Sequence, residues 1–232
     1  MGAHPDKFSS FYNQKLQGID LKLAHYGYLQ LRPFFSGKTC LELGPATGYM
    51  TQYLLSDFEE LTAVEGSLNL LNQIPDDDKL IKIHSLFEEF EPVKKYDTIV
   101  MSHVLEHIEH PVPLLKRIRG WMHSDSIFVL GVPNAKSFHR LAAVTMGILK
   151  TEYEMNERDQ ALGHYRVYDM QTLTDDARSA GFKVKGRVGI LLKFLSNNQI
   201  EKMMDDSILD AYFKLGNEFK ENSAEIFLVL QL

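Results

Sequence analysis

With 232 residues, 44% of them hydrophobic, the chain has the length and apolar content of one α/β domain with a full core, which excludes a disordered or fibrous chain. Its formal charge of -6, with Lys and Arg interleaved among the acids, leaves no basic stripe to neutralise a run of phosphates, and nucleic acid is excluded as an expected partner. There is no run of about 18 apolar residues and no charged-then-apolar leader, so neither a membrane span nor a secretory signal is expected and the setting reads as cytoplasmic.

In chain order, residues 1 to 19 are polar and aromatic without periodicity, and Leu21, Leu23, Tyr26, Leu29 and Leu31 then outline a helix that RPFFSG ends. The first strand starts at Lys38. Cys40, the only cysteine, lies inside it and is expected in the core, and no disulfide, CxxC knuckle or cysteine pair can form. The runs LTAVEG (61 to 66), LIKIH (80 to 84), YDTIVMS (96 to 102) and SIFVLGV (126 to 132) read as further buried strands, most of them separated by helical stretches. That alternation predicts a doubly wound sheet, because parallel neighbours need crossovers and the crossovers cover both faces.

After the fifth strand the rhythm changes. Residues 134 to 166 form an insertion in which Phe138, Leu141, Ala142, Thr145, Ile148 and Leu149 follow a helical period. The helix DMQTLTDDARSAGF and the strand FKVKGRVGI follow, and a second insertion, 197 to 222, places Ile200, Met203, Met204, Ile208, Ala211, Tyr212, Leu215 and Phe219 on one helical face. The closing strand AEIFLVLQL has no helix after it and is expected antiparallel, beside the sixth. No internal repeat or low-complexity linker appears. The chain therefore reads as a single domain, 1–232, with residues 1–36 as an N-terminal helical cap and the two insertions as a lid over the substrate. The apolar faces of those insertions read alternatively as core, the commoner role of a Met and Leu stripe, or as a homodimer surface.

The stretch ELGPATG joins the first strand to the next helix. A phosphate-binding loop would end in Gly-Lys-Ser/Thr, and a dinucleotide turn would read G-x-G-x-x-G; here the glycines are Gly44 and Gly48 with Ala46 between them, and neither pattern fits. Glu42, just before the turn, would repel a pyrophosphate and attract a cationic or amine-bearing ligand.

At this point the chain resembles the class I S-adenosylmethionine-dependent methyltransferases of small-molecule type, which include the ubiquinone-biosynthesis O-methyltransferases. The resemblance runs from about residue 38 to the end. It rests on the acid and spaced glycines (Glu42, Gly44, Gly48), the acid ending strand two (Glu65), IHSLFEEF, and YDTIVMSHVLEHIEHP, four motifs in order. It implies a Rossmann-like seven-stranded sheet, mostly parallel with one antiparallel late strand, with helices on both faces and lid insertions after strands five and six. It also implies S-adenosyl-L-methionine as cofactor. The residues it assigns to that cofactor are Glu42, Gly44, Ala46, Thr47, Gly48, Glu65, Gly66, Ser85, Leu86, Phe87, Ser102 and His103. Glu65 would accept from both ribose hydroxyls, and Ser85, Leu86 and Phe87 would hold the adenine. Ala46 departs from the middle glycine of the family and adds a methyl group near the cofactor. Tyr12 or Tyr26 would close over the cofactor. Taken singly, Glu65 also reads as a solvated turn acid and Phe87 as core.

HVLEH, residues 103 to 107, also matches H-x-x-E-H, a zinc-peptidase pattern in which His103 and His107 would share a helical face. The segment follows a buried strand directly, and Pro111 and Pro113 interrupt any helix there, so this is the rival reading rather than the preferred one. Under the resemblance, Glu106, His107 and His110 are candidates for a divalent ion, against the commoner task of capping and solvating the next helix, and no metal is expected. His103 stands at the carboxyl end of strand four, where open α/β sheets place their chemistry.

Methyl transfer from a sulfonium is an in-line displacement that needs an aligned nucleophile and a place for one proton. Cys40 is out of reach as a pyrimidine nucleophile, and the Asn/Asp-Pro-Pro-aromatic pattern of base amino methylation is missing. In GHYRVYD (163 to 169), the His164 imidazole suits the removal of a proton from a hydroxyl, Tyr165, Arg166 and Tyr168 suit an anionic substrate, and Asp169 suits a helix cap. His103, His164 and Arg166 are thus the catalytic candidates, a histidine as base for O-methylation and Arg166 as an anion contact. A binding protein of the same fold that has lost catalysis is the alternative.

Overall fold

A computed structural model describes residues 18–232. Seven strands form one sheet: β1 (Thr39–Leu43), β2 (Glu60–Glu65), β3 (Leu80–His84), β4 (Tyr96–Ser102), β5 (Met122–Pro133), β6 (Lys183–Ile190) and β7 (Glu225–Gln231). Their order is β3-β2-β1-β4-β5-β7-β6, parallel throughout except that β7 runs antiparallel between β5 and β6. The expected topology is present, including the antiparallel late strand.

Nine helices lie on the two faces among the described residues: α1 (Gly18–Leu31), α2 (Tyr49–Asp57), α3 (Leu68–Leu71), α4 (Pro111–Gly120), α5 (Phe138–Thr145), α6 (Glu157–Leu162), α7 (Met170–Ser179), α8 (Asn197–Met203) and α9 (Asp206–Glu218). Strand periodicity divides the core. Ile226, Leu228 and Leu230 of β7 join Phe128, Ile99, Ile118 and Leu173 on the side of α4 and α7, while Phe227 and Val229 join Val188, Ile19, Leu31 and Phe213 on the side of α1 and α9. Cys40 is fully buried with Leu54, Phe58, Leu61 and Val100, as expected.

Three elements differ from the sequence expectation. In α1 the buried residues are Ile19, Gly27, Tyr28 and Leu31, and Leu21 and Leu29 are exposed, because the sheet lies on a face rotated from the leucine stripe. The helix over the first insertion stops at Thr145: Gly147 takes φ +72°, and Ile148 beyond it is exposed. The second insertion is two helices rather than one face, since Asp205 accepts from the Ile208 backbone and starts α9 anew, leaving Met203 exposed. Asp169 caps α7 as expected, in a capping box with Thr172. Tyr12 lies outside the described residues, and Tyr26 stacks on Phe213 at 3.9 Å.

Backbone passes close at Gly189, which tolerates it only without a Cβ. A methyl group there would sit 2.4 Å from Ser223 Oγ, 2.5 Å from the Gly216 carbonyl oxygen and 2.7 Å from Lys220 Cα. Two of those atoms are backbone and cannot swing away. Gly189→Ala is expected to cost about 2 kcal/mol, read as a midpoint lowered by about 4–8 °C in thermal unfolding. An unchanged midpoint would mean that α9 is not docked on β6 in this way.

Candidate functional site

The carboxyl ends of β1, β2 and β4 converge on one edge of the sheet, and the residues that follow them build the site. After β1 the chain turns sharply: Gly44 (φ +74°), Ala46 (φ +49°) and Gly48 (φ +83°) all take left-handed conformations. Gly44 donates to the Val64 carbonyl at 2.9 Å, and Gly48 to Pro45 at 2.8 Å before α2 begins. A Cβ on Gly44 would lie 2.4 Å from Val104 Cγ2 and 3.6 Å from the Phe87 ring, so this glycine lets the turn, the segment after β4 and the segment after β3 meet. Ala46 adopts its left-handed geometry with a Cβ present, a strained choice for a non-glycine residue.

Two acids face this turn. Glu65, at the end of β2, accepts from Ala46 N at 3.1 Å through Oε2 and from Ser67 N at 2.9 Å through Oε1. Burial raises its pKa, and the amides of Ser67, Ala46 and Gly66 work in the other direction without cancelling it. Glu42 is buried within β1 and accepts from Thr51 Oγ1 of α2 at 2.7 Å. Burial pushes its carboxyl up to about 7; the Thr51 bond opposes this and the Glu65 charge adds to it. Thr47 is half-buried in the turn and Gly66 is buried after β2. Ser85 N donates to the Glu65 carbonyl at 3.1 Å, which fixes the start of the Ser85, Leu86, Phe87 segment beside the acid. Leu86 is exposed, and Phe87 packs partly on the core.

Ser102 ends β4, and His103 beyond it has φ +55°. A side chain this bulky in the left-handed region stores about 1–3 kcal/mol of strain, so its surroundings must hold it there. His103 N donates to the Gly131 carbonyl at 2.9 Å, and its Nε2 lies 3.0 Å from Glu225 Oε1, while Nδ1 is 3.7 Å from Glu106 Oε1. Burial would lower its pKa, but the Glu225 and Glu106 carboxylates outweigh it and hold the imidazole well above its ordinary value. Glu225 was missed in the sequence. Its signal was an acid opening an otherwise apolar strand: β7 enters between β5 and β6, pairing Glu225 with Pro133 and Ile190, and so delivers that acid to the site edge.

The H-x-x-E-H segment is a turn followed by a short 3-10 helix, Leu105–His107, not the sustained helix that would place His103 and His107 on one face. His103 turns to Glu225. His107 meets His164 instead, the rings edge to face with centroids 4.6 Å apart. The ligand atoms of Glu106, His107 and His164 all lie within 4.8 Å of one another, and His110, exposed at the start of α4, is not among them. Glu106 is 2% exposed; burial would raise its pKa, yet His103, His107 and His164 together lower it. His164 is therefore brought into contact with the carboxylate that also faces His103. Arg166 is not: its guanidinium donates to the Glu109 carbonyl at 2.8 Å and lines a separate open depression of about 530 Å³ with His110, Tyr168 and Asp176.

Residues 19–185 match the family described as "Methyltransferase domain". The chain is 23% identical over 124 residues to (S)-tetrahydroprotoberberine N-methyltransferase of Eschscholzia californica, an alignment that takes in 50% of this chain and 35% of that relative, so the match spans only about a third of the relative's length. In solved structures it resembles an S-adenosylmethionine-dependent methyltransferase of Mesorhizobium loti (12% identity, TM-score 0.65, 89% of this chain and 98% of that one). It equally resembles the CcbJ methyltransferase of Streptomyces caelestis (14% identity, TM-score 0.65, 99% and 98%). At such identities these structures establish the fold alone.

Proposed function

The chain belongs to the methyltransferase-domain family, in its class I, S-adenosylmethionine-dependent form, and from that premise we propose that it transfers a methyl group to a small-molecule hydroxyl. The observation that carries the cofactor half of this reading is Glu65: a carboxylate at the end of β2, buried against the Gly44–Gly48 turn, with lone pairs to spare after its bonds to Ala46 and Ser67. Those lone pairs suit a ribose diol, and the Ser85–Phe87 segment beside it suits a flat base. The backbone of the Gly44–Gly48 turn, with Ala46 and Thr47 in it, together with Gly66 and Ser102, would enclose the rest, and the buried Glu42 favours a positively charged amine over a phosphate.

When bound, S-adenosylmethionine supplies a methyl group already activated on a sulfonium. The chain then has to align the acceptor oxygen and remove one proton. His103 with Glu225 is the pair best placed for that, because it stands at the end of β4 with its side chain 37% exposed, whereas the His164 side chain is 7% exposed within its cluster. The Glu225 and Glu106 carboxylates favour the charged form of His103, and its imidazole would pass toward the proton-accepting state as positive charge gathers beside it. His164 and Arg166 then act from the insertion side, His164 through Glu106 and Arg166 at the neighbouring depression. The insertions 134–166 and 197–222 would cover the acceptor, and a cytoplasmic setting suits the reading. Among the described residues no helix is long and apolar enough to cross a membrane.

Calorimetric titration with S-adenosylhomocysteine tests this first, with NAD as control, followed by labelled-donor transfer to a panel of phenols, alcohols and amines. Micromolar binding without NAD binding is expected, with transfer to hydroxyls. No S-adenosylhomocysteine binding by the folded protein would overturn the reading, and binding with transfer only to amines would overturn its oxygen preference.

A further inference from the structure

Behind the His103–Glu225 pair lies the cluster through which His164 reaches Glu106. Glu106 comes from the 3-10 turn after β4, His107 follows it, and His164 arrives from the far end of the first insertion. Their candidate ligand atoms are mutually within 4.8 Å. An independent observation points the same way: Glu106 is 2% exposed, and its Oε2 is buried with no hydrogen-bond partner. A buried, ionised oxygen left without a partner is costly, and a cation is the direct remedy.

The surroundings are those of supported ligands. His164 Nδ1 is 3.4 Å from Asp159 Oδ1, and Asp159 is itself held by Arg140 and the Asn156 amide. The Gly163 backbone hydrogen-bonds the His107 ring. Each imidazole thus has an outer partner that fixes its orientation, as ligating histidines usually do. The two segments are also tied through the backbone, Tyr165 N donating to the Glu106 carbonyl at 2.9 Å.

We propose that Glu106, His107 and His164 bind a divalent cation of the zinc class. Two imidazoles and one carboxylate favour zinc or cobalt over magnesium or calcium, which prefer all-oxygen shells. The ion clips the end of the 134–166 insertion to the turn after β4 and so fixes that insertion relative to His103. Sequence reading placed His110 beside Glu106 and His107; the fold puts His164 there instead.

The test uses the whole chain, stripped with a chelator and titrated with zinc chloride by calorimetry, with cobalt absorption as a second readout and S-adenosylhomocysteine binding measured on the same sample. About one equivalent bound at micromolar or tighter affinity is expected, together with a raised melting temperature. His164→Ala and, separately, Glu106→Gln should each weaken binding at least about tenfold and remove the melting shift, while His123→Ala, on the exposed part of β5, leaves both intact. Absence of zinc binding by protein that still binds S-adenosylhomocysteine would overturn the site and leave the methyltransferase reading standing. Equal zinc affinity in wild type and His164→Ala would overturn it as well. Should Glu106→Gln fail to fold, His164→Ala decides.

Discussion

Glu65→Ala is expected to weaken S-adenosylhomocysteine binding by about a hundredfold to a thousandfold, corresponding to roughly 3–4 kcal/mol. The carboxylate is proposed to accept from two ribose hydroxyls, and hydrogen bonds to a charged acceptor contribute about 1.5–3 kcal/mol each. A second effect adds to this. Glu65 also holds Ala46 N and Ser67 N, so its removal frees a turn whose Ala46 is already in a strained conformation, and some binding energy must then go into reordering that turn. Glu65→Gln separates the two contributions, since its single carbonyl can keep the Ser67 bond while its amide can only donate toward Ala46 and the ribose; it should fall between wild type and Glu65→Ala. Glu60→Gln, at the other end of β2 and paired with Lys94, should bind as wild type does. If Glu65→Ala, folded by circular dichroism, binds within about threefold of wild type, Glu65 is not the ribose acceptor.

The class of sheet and the sharp turn after β1 were readable from the sequence because both follow from local rules. Alternating apolar runs and helical stretches predict a doubly wound sheet, the missing helix after residue 224 predicts an antiparallel closing strand, and glycines at 44 and 48 predict a sharp turn. Interactions between distant segments were not readable. Nothing near His103 in the chain announces Glu225, which arrives from 122 positions away through the pairing of β7 with β5 and β6. In the same way, HVLEH looked like a helical metal motif because i and i+4 share a face only on a helix; the turn at His103 breaks that relation, and His164, 57 positions beyond His107, takes the place next to it. The insertions misled for a related reason. Apolar periodicity persists through Gly147 and Asp205, but a left-handed glycine and a side-chain cap end helices regardless of the stripe that continues beyond them.

Glu42→Gln is expected to stabilise the fold at pH 8 and to leave it unchanged at pH 5. In the folded chain the Glu42 carboxyl titrates at about 7, against an ordinary value of 4.5, mainly because it is buried. The native state therefore holds its proton more tightly than the unfolded state does. Stability from this group is fully present below pH 4.5, falls as pH rises between 4.5 and about 7, and is lost above that, where the buried carboxylate must ionise. The full loss is on the order of 3 kcal/mol. A glutamine keeps an oxygen for Thr51 and carries no charge, so its thermal midpoint at pH 8 should exceed that of wild type by about 6–12 °C, with the gap closing toward pH 5. A gap that does not change with pH would mean that Glu42 is not the titrating group. The same substitution removes the negative charge proposed to favour the cationic end of the cofactor, so the stabilised variant should bind S-adenosylmethionine more weakly at pH 8. A buried acid beside the Gly44–Gly48 turn that destabilises the fold by itself and would be relieved by a cation is what a binding residue, rather than a core residue, would be expected to show.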